Sequence, residues 1–140
     1  MIISLFNLEG VSMYLKMIVV GFATIALSHI GFASEDVSQT CEDFSIKANE
    51  VSAYCRDQAG DFVKTSIVIH GLENSNGQLK LGRTNNPANF HSSCEELLVD
   101  DYGLLCATCK MRDGSWMETS IDLGSFLSNK NGALVDKRFP

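Results

Sequence analysis

Short runs of apolar and polar positions repeat along this chain, and the runs come in pairs. FVKTSIVI (62–69) and WMETSIDL (116–123) are rich in β-branched and aromatic residues with partial alternation, which predicts two half-buried strands. VSAYCRD (51–57) and LLCATCKM (104–111) have the same character and predict the strands that lead into them. Between the members of each pair stand QAGD (58–61) and RDGS (112–115), read as tight turns, the second carrying an Asp-Gly that tolerates positive φ. ENSNGQLK (73–80) and SNKNGALV (128–135) each centre on Asn-Gly, a turn signal ahead of a short strand at Leu79 or Leu134. No long helical period follows the N-terminal segment, so the expected fold is all-β. Trp116 stands at the strand position of Phe62, and a core role is favoured for it over a platform for a ligand.

The pairs amount to a duplication. Asn131 lies 55 residues after Asn76, and Cys109 lies 54 after Cys55. Two tandem repeats, about 38–82 and about 91–137, account for nearly everything after the N-terminus, with RTNNPANF (83–90) as linker or hinge. Two copies are fewer than a solenoid needs to bury a continuous core. A pseudo-twofold pair is the natural alternative.

Upstream, Lys16 precedes MIVVGFATIALSHIGFA, with Gly31 and Ala33 at the −3 and −1 positions of a cleavage before Ser34. Residues 1–33 therefore read as a secretory signal peptide, with Met13 a plausible start, and 34–140 as the folded domain. The run is short for a bilayer span and contains His29, so no stable membrane insertion is expected. The formal charge of −6 survives cleavage because Glu9 and Lys16 leave together. Bulk charge of this sign argues against nucleic acid as a partner.

All five cysteines follow the cleavage point, in a chain expected in an oxidising compartment. Cys41 and Cys55 are 14 apart, and Cys94 and Cys109 are 15 apart at matching places. Duplication favours one bridge per repeat, each worth about 3 kcal/mol in the chain-entropy picture, although spacing alone permits other pairings. Cys106 has no counterpart, since Ser52 stands at its place. CATC (106–109) invites a redox reading, but residues three apart in a strand face opposite ways. An unpaired, mostly buried thiol is expected instead.

Other candidate chemistry is thin. Glu95-Glu96 and Asp100-Asp101 lack calcium-loop spacing and no paired His-Cys set suits zinc, so they read as a solvated face with no metal or cofactor. Only His70 and His91 follow the cleavage point, with no Ser-His-Asp signature, so no enzyme is expected.

VSQTC (37–41), CRDQAGDFVKTSI (55–67), ENSNGQLK, NPANF (86–90) and TSIDLGSFLSNKNGAL (119–134) together resemble the cyanovirin-N homology family. The resemblance implies two pseudo-symmetric, exchanged domains, each a three-stranded sheet plus a β-hairpin. The first would join residues 36 to about 71 with the C-terminal segment from about 125, and the second would be the middle. It also implies a lectin for mannose-rich oligosaccharides with one site per domain. By position, the first site would hold Gln39, Thr40, Arg56, Gln58, Asn129, Lys130 and Asn131. The second would hold Glu73, Asn74, Asn76, Asn89, Ser92, Ser93, Lys110, Met111, Arg112 and Gly114. Amides, carboxylates and Arg forks suit vicinal hydroxyls, which both donate and accept. The four Asn residues are equally explained as turn formers, and Lys110 and Arg112 as solvated hairpin charges.

Three departures from the family pattern bear on these sites. Asn76 and Asn131 stand where an acid is common. Arg56 and Gln58 replace an acid and a Thr in the first site. The chain is one residue short near Gly71–Leu72 and its linker is longer. The expected function is therefore a secreted, non-enzymatic lectin for mannose-type glycans on cell walls or glycoproteins, with the second-domain site dominant. The alternative is a secreted protein-interaction module of the same fold without sugar binding. The hinge at 83–90 makes a domain-swapped dimer possible.

Overall fold

Each repeat folds into an antiparallel three-stranded meander followed by a separate hairpin, in a computed structural model that describes residues 34–139. The expected signal peptide lies outside the described residues. A one-turn helix α1 (Val37–Thr40), capped by Asp36, precedes β1 (Cys41–Lys47), β2 (Glu50–Arg56) and β3 (Phe62–Val68). The hairpin β4 (Leu72–Ser75) and β5 (Gln78–Leu81) follows. After a 3-10 turn at Phe90–Ser92 come β6 (Cys94–Val99), β7 (Leu104–Lys110) and β8 (Trp116–Asp122). A second 3-10 turn at Leu123–Ser125 leads to the hairpin β9 (Leu127–Lys130) and β10 (Ala133–Asp136). The all-β expectation holds. The strands β1 and β6 did not stand out in the residue pattern, because each is interrupted by a bulge, between Glu42 and Ser45 and between Glu95 and Leu98. The extra residue breaks the alternation by which strands are recognised.

The hairpins are exchanged between the repeats. Leu134 N on β10 donates to Thr65 Oγ1 on β3, and Leu79 N on β5 donates to Thr119 Oγ1 on β8, both at 3.1 Å. The first unit is thus β1–β3 with the C-terminal hairpin, and the second is β6–β8 with the hairpin of the first repeat. Both Asn-Gly pairs form two-residue turns with positive φ at each residue, 49° and 93° at Asn76-Gly77 and 51° and 87° at Asn131-Gly132. That geometry matches the right-handed twist of a hairpin, and Asn and Gly adopt it at least cost.

The core also obeys the duplication. Val51, Ala53, Ile69, Leu72 and Leu79 are matched in the second repeat by Leu105, Ala107, Leu123, Leu127 and Leu134. All are buried, and they join in one cluster. Cys41–Cys55 and Cys94–Cys109 are disulfides between directly opposed residues, of β1 and β2 and of β6 and β7. Cys106 is free, as expected, but lies half-buried on the outer face of its sheet rather than in the core.

Trp116 differs from its expectation. It is 47 % exposed and Phe62 is 41 % exposed. Along β8 the residues Glu118 and Ser120, two and four places on, are exposed as well. Side chains two apart share a face, so Trp116 points outward with them.

The residue missing near Gly71 also has a structural consequence. Where the second repeat leaves its sheet through a 3-10 turn, the first turns sharply at Gly71 (φ 69°). A Cβ there would lie 2.5 Å from Thr84 O. The linker lies along this corner: Gly71 N donates to Asn86 O, Ala88 N to Ile69 O, and Asn49 Nδ2 to Ala88 O.

Candidate functional site

Each exchanged hairpin is held over its host sheet by one asparagine. In the second unit, Asn74 Nδ2 donates to Ser93 Oγ and Lys110 O, both at 3.0 Å, and its Oδ1 accepts from Gly77 N at 2.7 Å. In the first unit, Asn129 Nδ2 donates to Thr40 Oγ1 (3.1 Å) and Arg56 O (2.9 Å), and its Oδ1 accepts from Gly132 N (2.8 Å). The turn asparagines add one bond each: Asn76 Oδ1 accepts from Arg112 N and Asn131 Oδ1 from Gln58 N, both at 2.9 Å. Four of the implied site residues therefore position a hairpin against the loop it faces. Asn129, 1 % exposed, does so from the interior.

In the second unit this arrangement leaves a shallow cleft of about 510 Å³ between the hairpin β4–β5 and the β7–β8 loop. Glu73, Asn74 and Asn76 line it on the hairpin side, Ser93, Lys110, Met111 and Arg112 opposite. Ser75, which the sequence reading did not single out, lines it as well. Its register position between Asn74 and Asn76 was the available signal. Asn89 lies in a separate recess of about 150 Å³ beside the linker, which Glu73 also lines. Ser92 and Gly114 are outside both. The Ser92 hydroxyl donates to Asn89 O, and Gly114 (φ 88°) serves the turn of the β7–β8 loop.

The loop's shape rests on its own side chains. Ser115 Oγ and Ser115 N both donate to Asp113 Oδ1, and these bonds hold the Asp113 carboxyl below its ordinary range. The cleft thus combines one carboxylate, one ammonium, one guanidinium and several amide and hydroxyl groups. Such a set can meet a hydroxyl as donor or as acceptor.

The equivalent place in the first unit is furnished differently. Ser128, which corresponds to Glu73, is buried, and its hydroxyl has no partner among the described residues. The Arg56 guanidinium lies 5.0 Å from the centroid of Phe62, across β2 and β3. Lys130 lines a different cavity of about 360 Å³ with Ser34, Val135 and Phe139. Gln39 and Gln58 are exposed, on α1 and the β2–β3 loop.

Comparison with known proteins matches this architecture. A family model for the CVNH domain matches residues 37–136. The chain belongs to the CVNH family. Among solved structures, it is similar to microvirin in a microvirin:mannobiose complex, at 26% identity over 73% of this chain and 98% of that one, with a TM-score of 0.56. It is similar to TbCVNH of T. borchii at 24% identity, covering 73% and 99%, TM-score 0.61. It is also similar to a MoCVNH3 variant in complex with (N-GlcNAc)4, at 18% identity, covering 75% and 98%, TM-score 0.63. The last two likenesses establish the fold.

Proposed function

We propose that the protein is a secreted, non-enzymatic lectin that binds mannose-rich oligosaccharides chiefly through the cleft of its second unit. The observation that carries this reading is the gathering of Glu73, Lys110 and Arg112 around one Asn-anchored cleft. A set of fixed donors and acceptors selects sugars whose hydroxyls meet them, because a sugar with misplaced hydroxyls leaves the site's own groups unpaired. The microvirin:mannobiose complex supports the mannose class, and the MoCVNH3 variant complex supports oligosaccharide binding on this fold more broadly. The signal-like segment ahead of Ser34 and the two disulfides support secretion.

What occupies the first unit supports dominance of the second cleft. No carboxylate stands at Ser128, and Gln58 rather than a guanidinium stands at the place of Arg112. If a hydrogen bond to a charged group contributes about 1.5–3 kcal/mol, losing one weakens the first site roughly tenfold or more. Calorimetry with a mannose oligosaccharide is expected to resolve one site per chain. Arg112→Ala or Glu73→Ala should abolish it and Arg56→Ala should leave it intact. The reverse pattern would assign binding to the first unit. Silence on a glycan array would favour the protein-interaction module. Because the hydrogen bonds of Asn86 and Ala88 to Gly71 and Ile69 can form within one chain or between two, refolding at high concentration should yield some dimer on sizing.

A further inference from the structure

Trp116 is the only tryptophan in the chain, and it stands 47 % exposed on the outer face of β8. Its position connects it to the cleft. It pairs across the sheet with Lys110, which lines the cleft, and it follows the loop that supplies Met111 and Arg112. The Lys110 ammonium lies 5.9 Å from the centroid of the indole ring. Trp116 itself is outside the cleft lining, so a sugar ring seated between Glu73 and Arg112 leaves it uncovered.

We propose that Trp116 is an aromatic subsite at the edge of the second-unit cleft, taking the apolar face of a further pyranose of a bound oligosaccharide. The inference rests on the lectin reading and adds a chain-length preference to it. A pyranose presents C–H groups on one face, whose partial positive charge suits the negative face of an indole. The ammonium of Lys110 is drawn to the same ring by its quadrupole, which orients the indole beside the cleft. Lys110 thereby joins the two subsites, one methylene stem serving as wall between polar cleft and aromatic platform. Phe62 is the matching residue of the first unit, but Arg56 stands nearer its centroid, at 5.0 Å, and the ring is smaller. The platform therefore also distinguishes the two units.

The test compares mannose, mannobiose and a linear mannotetraose on the full mature chain, with wild type, Trp116→Ala and Trp116→Phe. Phe is what the same strand position holds in the first repeat, so the fold accommodates it. The expected result is about three- to tenfold weaker mannotetraose binding for Trp116→Ala, unchanged mannobiose binding, and partial recovery in Trp116→Phe. Tryptophan emission of wild type should change on saturation with mannotetraose and not with mannose. Equal loss for all ligands, no loss for any, or a silent fluorophore at saturation would overturn the subsite while leaving the lectin reading in place. Failure of wild type to bind any of these or any other glycan would overturn the lectin reading and the subsite together.

Discussion

Asn74 and Asn129 do the same work in the two units and do it at different depths. Each donates to a hydroxyl and a β-strand carbonyl of its host unit and accepts from the Gly N–H of its own turn. Asn129 is sealed in, with Ser128 beside it, whereas Asn74 faces a cleft and has Glu73 beside it. The duplicated scaffold requires the anchor in both places, and the residues around the anchor decide whether a binding surface results. Two copies of one unit can therefore keep one fold while differing in chemistry.

The largest expected effect concerns the one corner where the repeats have different lengths. Gly71→Ala meets both a left-handed φ and a Cβ 2.5 Å from Thr84 O. Strain and overpacking together should lower stability by about 3–4 kcal/mol. Ser125→Ala, exposed at the corner of the second repeat, loses only its hydroxyl's bond to Asp122 O and should cost about 0.5–1 kcal/mol. Urea unfolding of the two variants checks the contrast.

The anchors come next. Asn129→Ala leaves buried groups unpaired and should cost about 2–3 kcal/mol, whereas Asn74→Ala, where water can reach the cleft, should cost about 1 kcal/mol. Equal losses would show that burial does not separate the anchors. The turns between the first two strands of each sheet provide a smaller contrast. Ala48 holds φ 55° where the longer loop of the second repeat uses Gly103 at 82°. Ala48→Gly should stabilise by about 0.5–1 kcal/mol, the relief of left-handed strain exceeding the entropy of glycine. Gly103→Ala should do the opposite.

The smallest effect is a titration. Asp113 accepts from Ser115 and Ala59 stands near its place in the first loop, so this carboxylate distinguishes the two loops. Its folded pKa is depressed, so the order it lends the loop is present above the ordinary Asp range and lost as pH falls through the depressed value. Carboxyl NMR should place Asp113 below an ordinary Asp, and Ser115→Ala should return it part of the way, because the backbone N–H at 115 still donates to it.

Local signals account for what was legible. β-Branched runs marked β2, β3, β7 and β8, and Asn-Gly marked both hairpin turns, because these preferences act within a few residues. The matched cysteine spacings reported the bridges because a duplicated unit brings the same pair together twice. Other features were hidden or misread. The bulges at Asp43 and Glu96 disguised β1 and β6. Trp116 reads as core on its likeness to Phe62, although its phase with Glu118 and Ser120 places it outside. Of the second-site residues, Asn89, Ser92 and Gly114 stand apart from the cleft. Positional mapping carries no information on how a longer linker and a shorter corner move its neighbours.

By itself, then, the sequence determined the all-β class, the two repeats and the hairpin turns and favoured one pairing of the cysteines, since each depends on backbone preference or on repetition along the chain. Tertiary structure decided the rest. Which asparagine is buried and which carboxylate reaches a cleft depend on what the exchanged hairpin meets, 36 residues along the chain for Asn74 and Lys110 and 73 for Asn129 and Arg56. Ser128 and Glu73 occupy the same place in the two repeats. Only the packing of β9 and β4 onto different sheets makes one a sealed hydroxyl and the other a charge at the edge of the cleft.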